Sequence, residues 1–145
     1  MIVVRESWPK PPGGWPVGVW SVPYVASAIP GSETPPSWIA GSNCQRFAYG
    51  VLDLFGISCP SLRSSELWAD TAETFVVGQP EPLDLVFFNK GENPFGAHLG
   101  LLMAENEVLH LCREVRYPTV WALREFQTRP NYCEFIGSKR VRKLG

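Results

Sequence analysis

Residues 7 to 38 carry Pro9, Pro11, Pro12, Pro16, Pro23, Pro30, Pro35 and Pro36, interleaved with Trp8, Trp15, Trp20 and Trp38. Each proline fixes its own φ and removes a backbone donor, so neither a helix nor a central strand fits through this stretch. The tryptophans are too apolar for a solvated linker. The expectation is therefore an ordered, irregular arm lying on a domain built from the rest of the chain. A docking segment for a proline-recognising partner is the alternative, weakened by the lack of a regular P-x-x-P repeat. With 145 residues the chain suits a single domain, residues 1–38 forming its arm and residues 40–141 its core.

Past the arm, regular structure begins abruptly. Ser42 and Asn43 are good N-caps, Phe47, Ala48, Val51, Leu52 and Phe55 recur at helical spacing, and Gly56 supplies a stop. Cys44 then falls in the first turn, where unpaired backbone N–H groups favour thiolate over thiol. A second, shorter helix is expected over 63–70, capped by Ser64 or Ser65 with Glu66 in its first turn. From Pro80 the periodicity changes. Residues 83–88, 97–103 and 108–112 read as strands, the last two joined as a hairpin through Glu105-Asn106, and residues 132–137 read as a closing strand with the basic exit Ser-Lys-Arg-Val-Arg-Lys. Residues 117–126 are ambiguous between helix and strand. Helices followed by sequential strands give an α+β class, with N-terminal helices packed on a central antiparallel sheet.

A formal net charge of -1 argues against broad nucleic-acid or anionic-membrane binding. No transmembrane span and no basic, uninterrupted apolar leader is visible, so a cytoplasmic protein is expected, export by another route staying open. Oligomeric state is not legible. Cys44, Cys59, Cys112 and Cys133 contain no C-x-x-C pair, so free thiols are the default, a Cys112–Cys133 bond being the minor alternative.

The chain has two histidines, His98 and His110, both on the expected hairpin. A cysteine at a helix start and a histidine on a strand are what a thiol nucleophile and its base require, with a third polar group to orient the imidazole. A plain two-residue turn would put His98 and His110 on opposite faces; an odd loop or a bulge would restore a common face, with His110 still three or four rungs from the residue opposite His98. Arg46 and Arg63 are candidates to hold a substrate carboxylate, and Ser64 and Ser65 to line the same cleft. A zinc site drawn from His98, His110, Cys112 and Cys44 competes for the same residues, as does a scaffold reused as a silent binding module.

Three segments resemble the signature of the NlpC/P60 family of papain-like cysteine peptidases. Asn43-Cys44 with its helix is similar to the family's Asp-Cys-Ser-Gly helix start, Pro82 to Phe88 to its Pro-Gly-Asp-Leu-Val-Phe-Phe strand, and His98 to Leu102 to its His-Val-Gly-Ile strand. Residues 60–65 and 135–141 also resemble family segments. The resemblance implies a papain-like NlpC/P60 fold, Cys44 as nucleophile, His98 as base and then acid, His110 as orienter, no metal or organic cofactor, and hydrolysis of an amide in a small peptide, typically between D-γ-glutamyl and a diamino acid of cell-wall type. The chain departs from the pattern at Gln45 and Arg46, where the family is small. The family's upstream tyrosine is replaced by Pro30, Gly31 and Ser32, leaving Tyr24 as the nearest.

Overall fold

The computed structural model describes Ile2 and residues 4–142; Lys143 of the expected basic exit lies outside them. After the arm come α1 (Cys44–Leu54), α2 (Ser64–Ala69), β1 (Thr74–Val77), β2 (Leu85–Asn89), β3 (His98–Ala104), β4 (Glu107–His110), β5 (Thr119–Trp121), α3 (Leu123–Gln127) and β6 (Glu134–Val141). The strands form one six-stranded sheet in the order β1-β6-β2-β3-β4-β5, every neighbouring pair antiparallel. The class is α+β.

Alternation along the strands divides the core into two layers. Leu85, Phe87, Leu99, Leu101, Met103 and Leu109 face α1 and bury Phe47, Val51 and Leu52. Val86, Phe88, Leu102, Val108 and Trp121 face the other way and meet Phe126 of α3 and Tyr132. Phe88 and Phe126 stack at 3.9 Å between centroids.

Sequence patterning assigns nothing to Thr74–Val77, which becomes β1. Four residues carry too little alternation to announce themselves, and their partner is β6, far along the chain. The ambiguous 117–126 segment divides: β5 ends at Trp121 and α3 begins at Leu123, whose N–H donates to Asn106 Oδ1 at 2.8 Å. The second helix is capped differently from expectation. Arg63 occupies the N-cap, its N–H donating to Glu66 Oε1 at 3.1 Å, and Ser64 is already helical. Nor is the basic segment simply an exit. Lys139 is fully buried within β6, and its ammonium donates to the Leu67 and Trp68 carbonyls at 2.6 and 3.0 Å and to that of Asp70. These carbonyls lie at the end of α2, where that of Leu67 otherwise accepts only a long bond from the Asp70 N–H at 3.3 Å and that of Asp70 one from Thr74 Oγ1 at 3.4 Å, so a buried cation there closes the helix and ties it to the sheet.

The arm packs. Trp8, Val19 and Val22 enter the α1-side core, and a 3-10 turn covers Val17–Ser21. Trp8 Nε1 donates to Glu107 Oε1 at 3.2 Å, and Arg5 pairs with the same carboxylate at 2.7 Å. Trp15 meets Phe55 edge-on at 5.5 Å, and Trp38 meets Phe47 at 5.9 Å. The Trp38 ring lies directly over Gly50, in the space a Cβ would occupy. All four cysteines are free.

Alanine is ordinarily better than glycine in a helix interior by ~1 kcal/mol. At Gly50 the sign reverses, since the Trp38 ring must move: Gly50→Ala lowers stability by about 2 kcal/mol in denaturant titration. Lys139→Met, which removes the buried donor shared by the carbonyls at the end of α2, costs about 3 kcal/mol in the same assay.

Candidate functional site

Cys44 is the first residue of α1 and His98 the first residue of β3. Both elements begin at the same end of the molecule, and both side chains line one cleft of ≈ 330 Å³ with Tyr24, Lys90, Arg113 and Tyr132. The start of α1 is set by Asn43, whose Oδ1 accepts from the Arg46 N–H at 2.9 Å.

The hairpin resolves the geometry of the two histidines. Leu101 pairs with Leu109 and Leu102 with Val108, but Ala104 pairs with Glu107, so Met103 is the extra residue of a β-bulge. The turn at Glu105-Asn106 uses a positive φ of 59° at Asn106. The bulge shifts the register by one residue, which returns His98 and His110 to a common face and sets His110 two residues, not three or four, from the position opposite His98. The residue facing His110 is then Gly100. A Cβ there would stand 2.6 Å from Val108 Cγ1 and 3.3 Å from His110 Cβ, and in its absence His98 Nε2 and His110 Nδ1 approach to 2.9 Å.

Both rings are buried. His110 sits 4.3 Å from Trp121 and 4.7 Å from Phe126 between centroids, and Tyr132 leans on His98 at 4.7 Å. Burial pushes the His98 pKa down to about 3. His110 is pushed well below the ordinary value by burial, by His98 and by Arg129. With both imidazoles neutral, their hydrogen bond links two tautomers. If Nε2 of His98 donates, Nδ1 is the lone pair available to a thiol, and His110 carries its proton on Nε2, which is buried without a partner.

Cys44 departs from expectation. Burial pushes its thiol pKa up; the backbone N–H groups of Leu99 and Gln45 and the Arg63 charge oppose this without reversing it. Desolvation outweighs the hydrogen bonds and charge that favour the thiolate, so the resting sulfur is a thiol. It is partly exposed to the cleft, and no hydrogen bond joins it to His98.

The other candidates are placed elsewhere. The Arg46 guanidinium donates to the Pro35 carbonyl at 2.7 Å and to that of Gly41 at 3.1 Å, lining a different cavity beside Trp38 and Asp53. Arg63 Nε donates to Gln45 Oε1 at 3.0 Å, which turns the long Gln45 side chain into the protein interior. Neither Gln45 nor Arg46 therefore obstructs the thiol. Ser64 is buried and Ser65 half-buried at the start of α2, and neither lines the Cys44 cleft. Among the described residues no three His, Cys, Asp or Glu side chains converge to hold a metal, so the zinc reading of His98, His110 and Cys112 loses its ligand set.

Tyr24 is supplied by the arm. It forms a parallel bridge with Ser42, just ahead of α1, and its N–H donates to the Arg116 carbonyl at 3.0 Å. Its phenol therefore stands in the cleft although many residues separate it from Cys44. Tyr132, Arg113 and Lys90 were not marked by spacing or motif; only the meeting of three loops collects them.

No protein-family model and no curated protein matches the chain. Among solved structures, the fold is similar to that of NlpC2 from Trichomonas vaginalis, with a TM-score of 0.54 and 14% identity over 84% of this chain. The match spans 42% of that protein's chain. The likeness is one of fold, α+β with an antiparallel sheet, of NlpC type and consistent with a papain-like architecture.

Two measurements probe the imidazole pair. An unfolded histidine takes a proton near pH 6.5, whereas the folded His98 resists protonation until about pH 3. The stability held by the neutral pair is complete above pH 6.5 and is lost as pH falls toward 3, so Tm drops across that window, and His98→Gln flattens the drop. Gly100→Ala separates the rings and costs about 2 kcal/mol; loss of the mutual perturbation of the two imidazole resonances in NMR spectra reports the separation.

Proposed function

We propose that this chain is a thiol hydrolase that cleaves an amide bond in a small peptide. The supporting observation is the shared cleft of Cys44 and His98, with Nε2 of His98 held by His110 Nδ1 at 2.9 Å. The NlpC-type fold agrees with it. In this reading Cys44 Sγ attacks the carbonyl carbon as its proton passes to His98 Nδ1. The amine departs with that proton, leaving a thioester. Water then attacks, His98 taking its proton and returning it to the sulfur. His110 accepts from His98 Nε2 throughout and keeps the ring oriented. The backbone N–H of Cys44, beside its own sulfur, and the Tyr24 phenol are the donors offered to the oxyanion, a role worth ~3 kcal/mol per donor in other hydrolases.

Because the imidazoles and the thiol rest neutral, proton transfer accompanies attack rather than preceding it. The substrate class is a peptide of the γ-D-glutamyl-diamino-acid kind, and the reading calls for no metal or organic cofactor. The raised thiol pKa and the missing Cys44–His98 hydrogen bond favour a second reading, a papain-like binding module without turnover.

Assay of γ-glutamyl and cell-wall-derived peptides separates the two. Hydrolysis that Cys44→Ala and His98→Ala each reduce by about a thousandfold supports the enzyme; binding without product, equal in wild type and Cys44→Ala, supports the module. Iodoacetamide should alkylate Cys44 slowly at pH 7, with a rate that climbs to a midpoint above 9.0. A rate plateau persisting into acid would instead reveal a preformed thiolate–imidazolium pair.

A further inference from the structure

We propose that the cleft selects a ligand bearing a carboxylate, and that Arg113 and Lys90 are the residues that recognise it; this rests on reading the Cys44 cleft as the substrate site. The charged side chains of the cleft are Lys90, Arg113 and Glu114. Glu114 is already engaged, accepting from Arg129 Nη1 at 2.8 Å and from Asn131 Nδ2 at 3.3 Å. Neither Lys90 nor Arg113 has a carboxylate partner among the described residues. Arg113 lies beside the Tyr24 phenol, which itself lies close to Cys44. The cleft thus holds two uncompensated cations in a chain whose net charge is -1, so the local excess does not reflect general basicity.

The two cations come from different connections, Lys90 from the β2–β3 loop and Arg113 from the segment after β4. That segment is held firmly. Arg116 N–H donates to the Cys112 carbonyl at 2.8 Å, and Val115 N–H donates to Cys112 Sγ at 3.5 Å. A guanidinium presented by a fixed turn suits bidentate capture of a carboxylate, and an ammonium adds a point charge without demanding geometry. Arg46 and Arg63, the arginines nearest in sequence to the thiol, are occupied by the Pro35 and Gly41 carbonyls and by Gln45. Recognition of the anion therefore falls to residues remote from Cys44 in sequence. A cleft of ≈ 330 Å³ admits a small molecule or the end of a peptide.

The test compares two reagents of nearly the same shape, anionic iodoacetate and neutral iodoacetamide, on the intact chain, with labelling of Cys44 read by peptide mass mapping. N-acetylcysteine in the same solution gives the reference ratio of the two rates. At Cys44 the iodoacetate-to-iodoacetamide ratio should exceed that reference by about tenfold at low salt, an enhancement that focused positive charge can supply. Arg113→Gln and Lys90→Gln should each lower it about threefold, the double variant should return it to the reference, and Arg113→Lys should retain most of it. A Cys44 ratio equal to the reference, or one unmoved by Arg113→Gln, overturns the proposal. The ratio does not depend on turnover. If it behaves as stated while no amide is cleaved, the anion selectivity stands and the hydrolase reading falls; cleavage with a flat ratio does the reverse. Where turnover is found, glutamate-to-glutamine and amidated C-terminal versions of the substrate identify which carboxylate is read, by which change raises KM in wild type but not in Arg113→Gln.

Discussion

Burial of Phe47, Val51 and Leu52 against the Leu99, Leu101 and Leu109 face of the sheet decides where α1 begins relative to β3, and most of the molecule follows from that contact. A helix presents an apolar stripe and a strand an alternating face, so their packing admits few alignments. The alignment adopted brings the first residue of each element to one end of the domain. Cys44 stands on the helix side and His98 on the far face of the sheet, by the same alternation that sends Leu99 toward α1. They line one cleft because both elements begin at that end.

The cleft is then completed by segments with no regular structure. The arm is tied to α1 through Tyr24 and Ser42, to the β3–β4 hairpin through Trp8 and Glu107, and to the segment after β4 through Arg116. It walls the site and shields the core at once. Around this frame the electrostatics are those of a desolvated centre, with neutral imidazoles, a protonated thiol and charge confined to the rim. His110 Nε2 is buried without a partner, and its ring packs closely against Trp121 and Phe126.

Much of this was legible in the residues. Asn43 before an apolar 3.6-residue period announced α1, and the strand periods of residues 83–88 and 97–103 announced β2 and β3, because local patterning is what a helix or strand needs. The bulge at Met103 was not, since an extra residue in a strand has no local signature when both neighbours are apolar. Nor was the engagement of Arg46 and Arg63, whose partners are backbone carbonyls and a glutamine that only the folded chain brings near.

By itself, then, the sequence determined most of the element types, the α+β class, and the two histidines, His98 and His110, to which imidazole chemistry is limited, because these depend on short-range periodicity and on how few such groups the chain contains. Tertiary structure alone decided that His98 and His110 touch, that Cys44 rests as a thiol, and that Tyr24, Lys90 and Arg113 share its cleft. Those outcomes depend on register, desolvation and the convergence of distant loops, all of which are properties of the packed domain and of no segment within it.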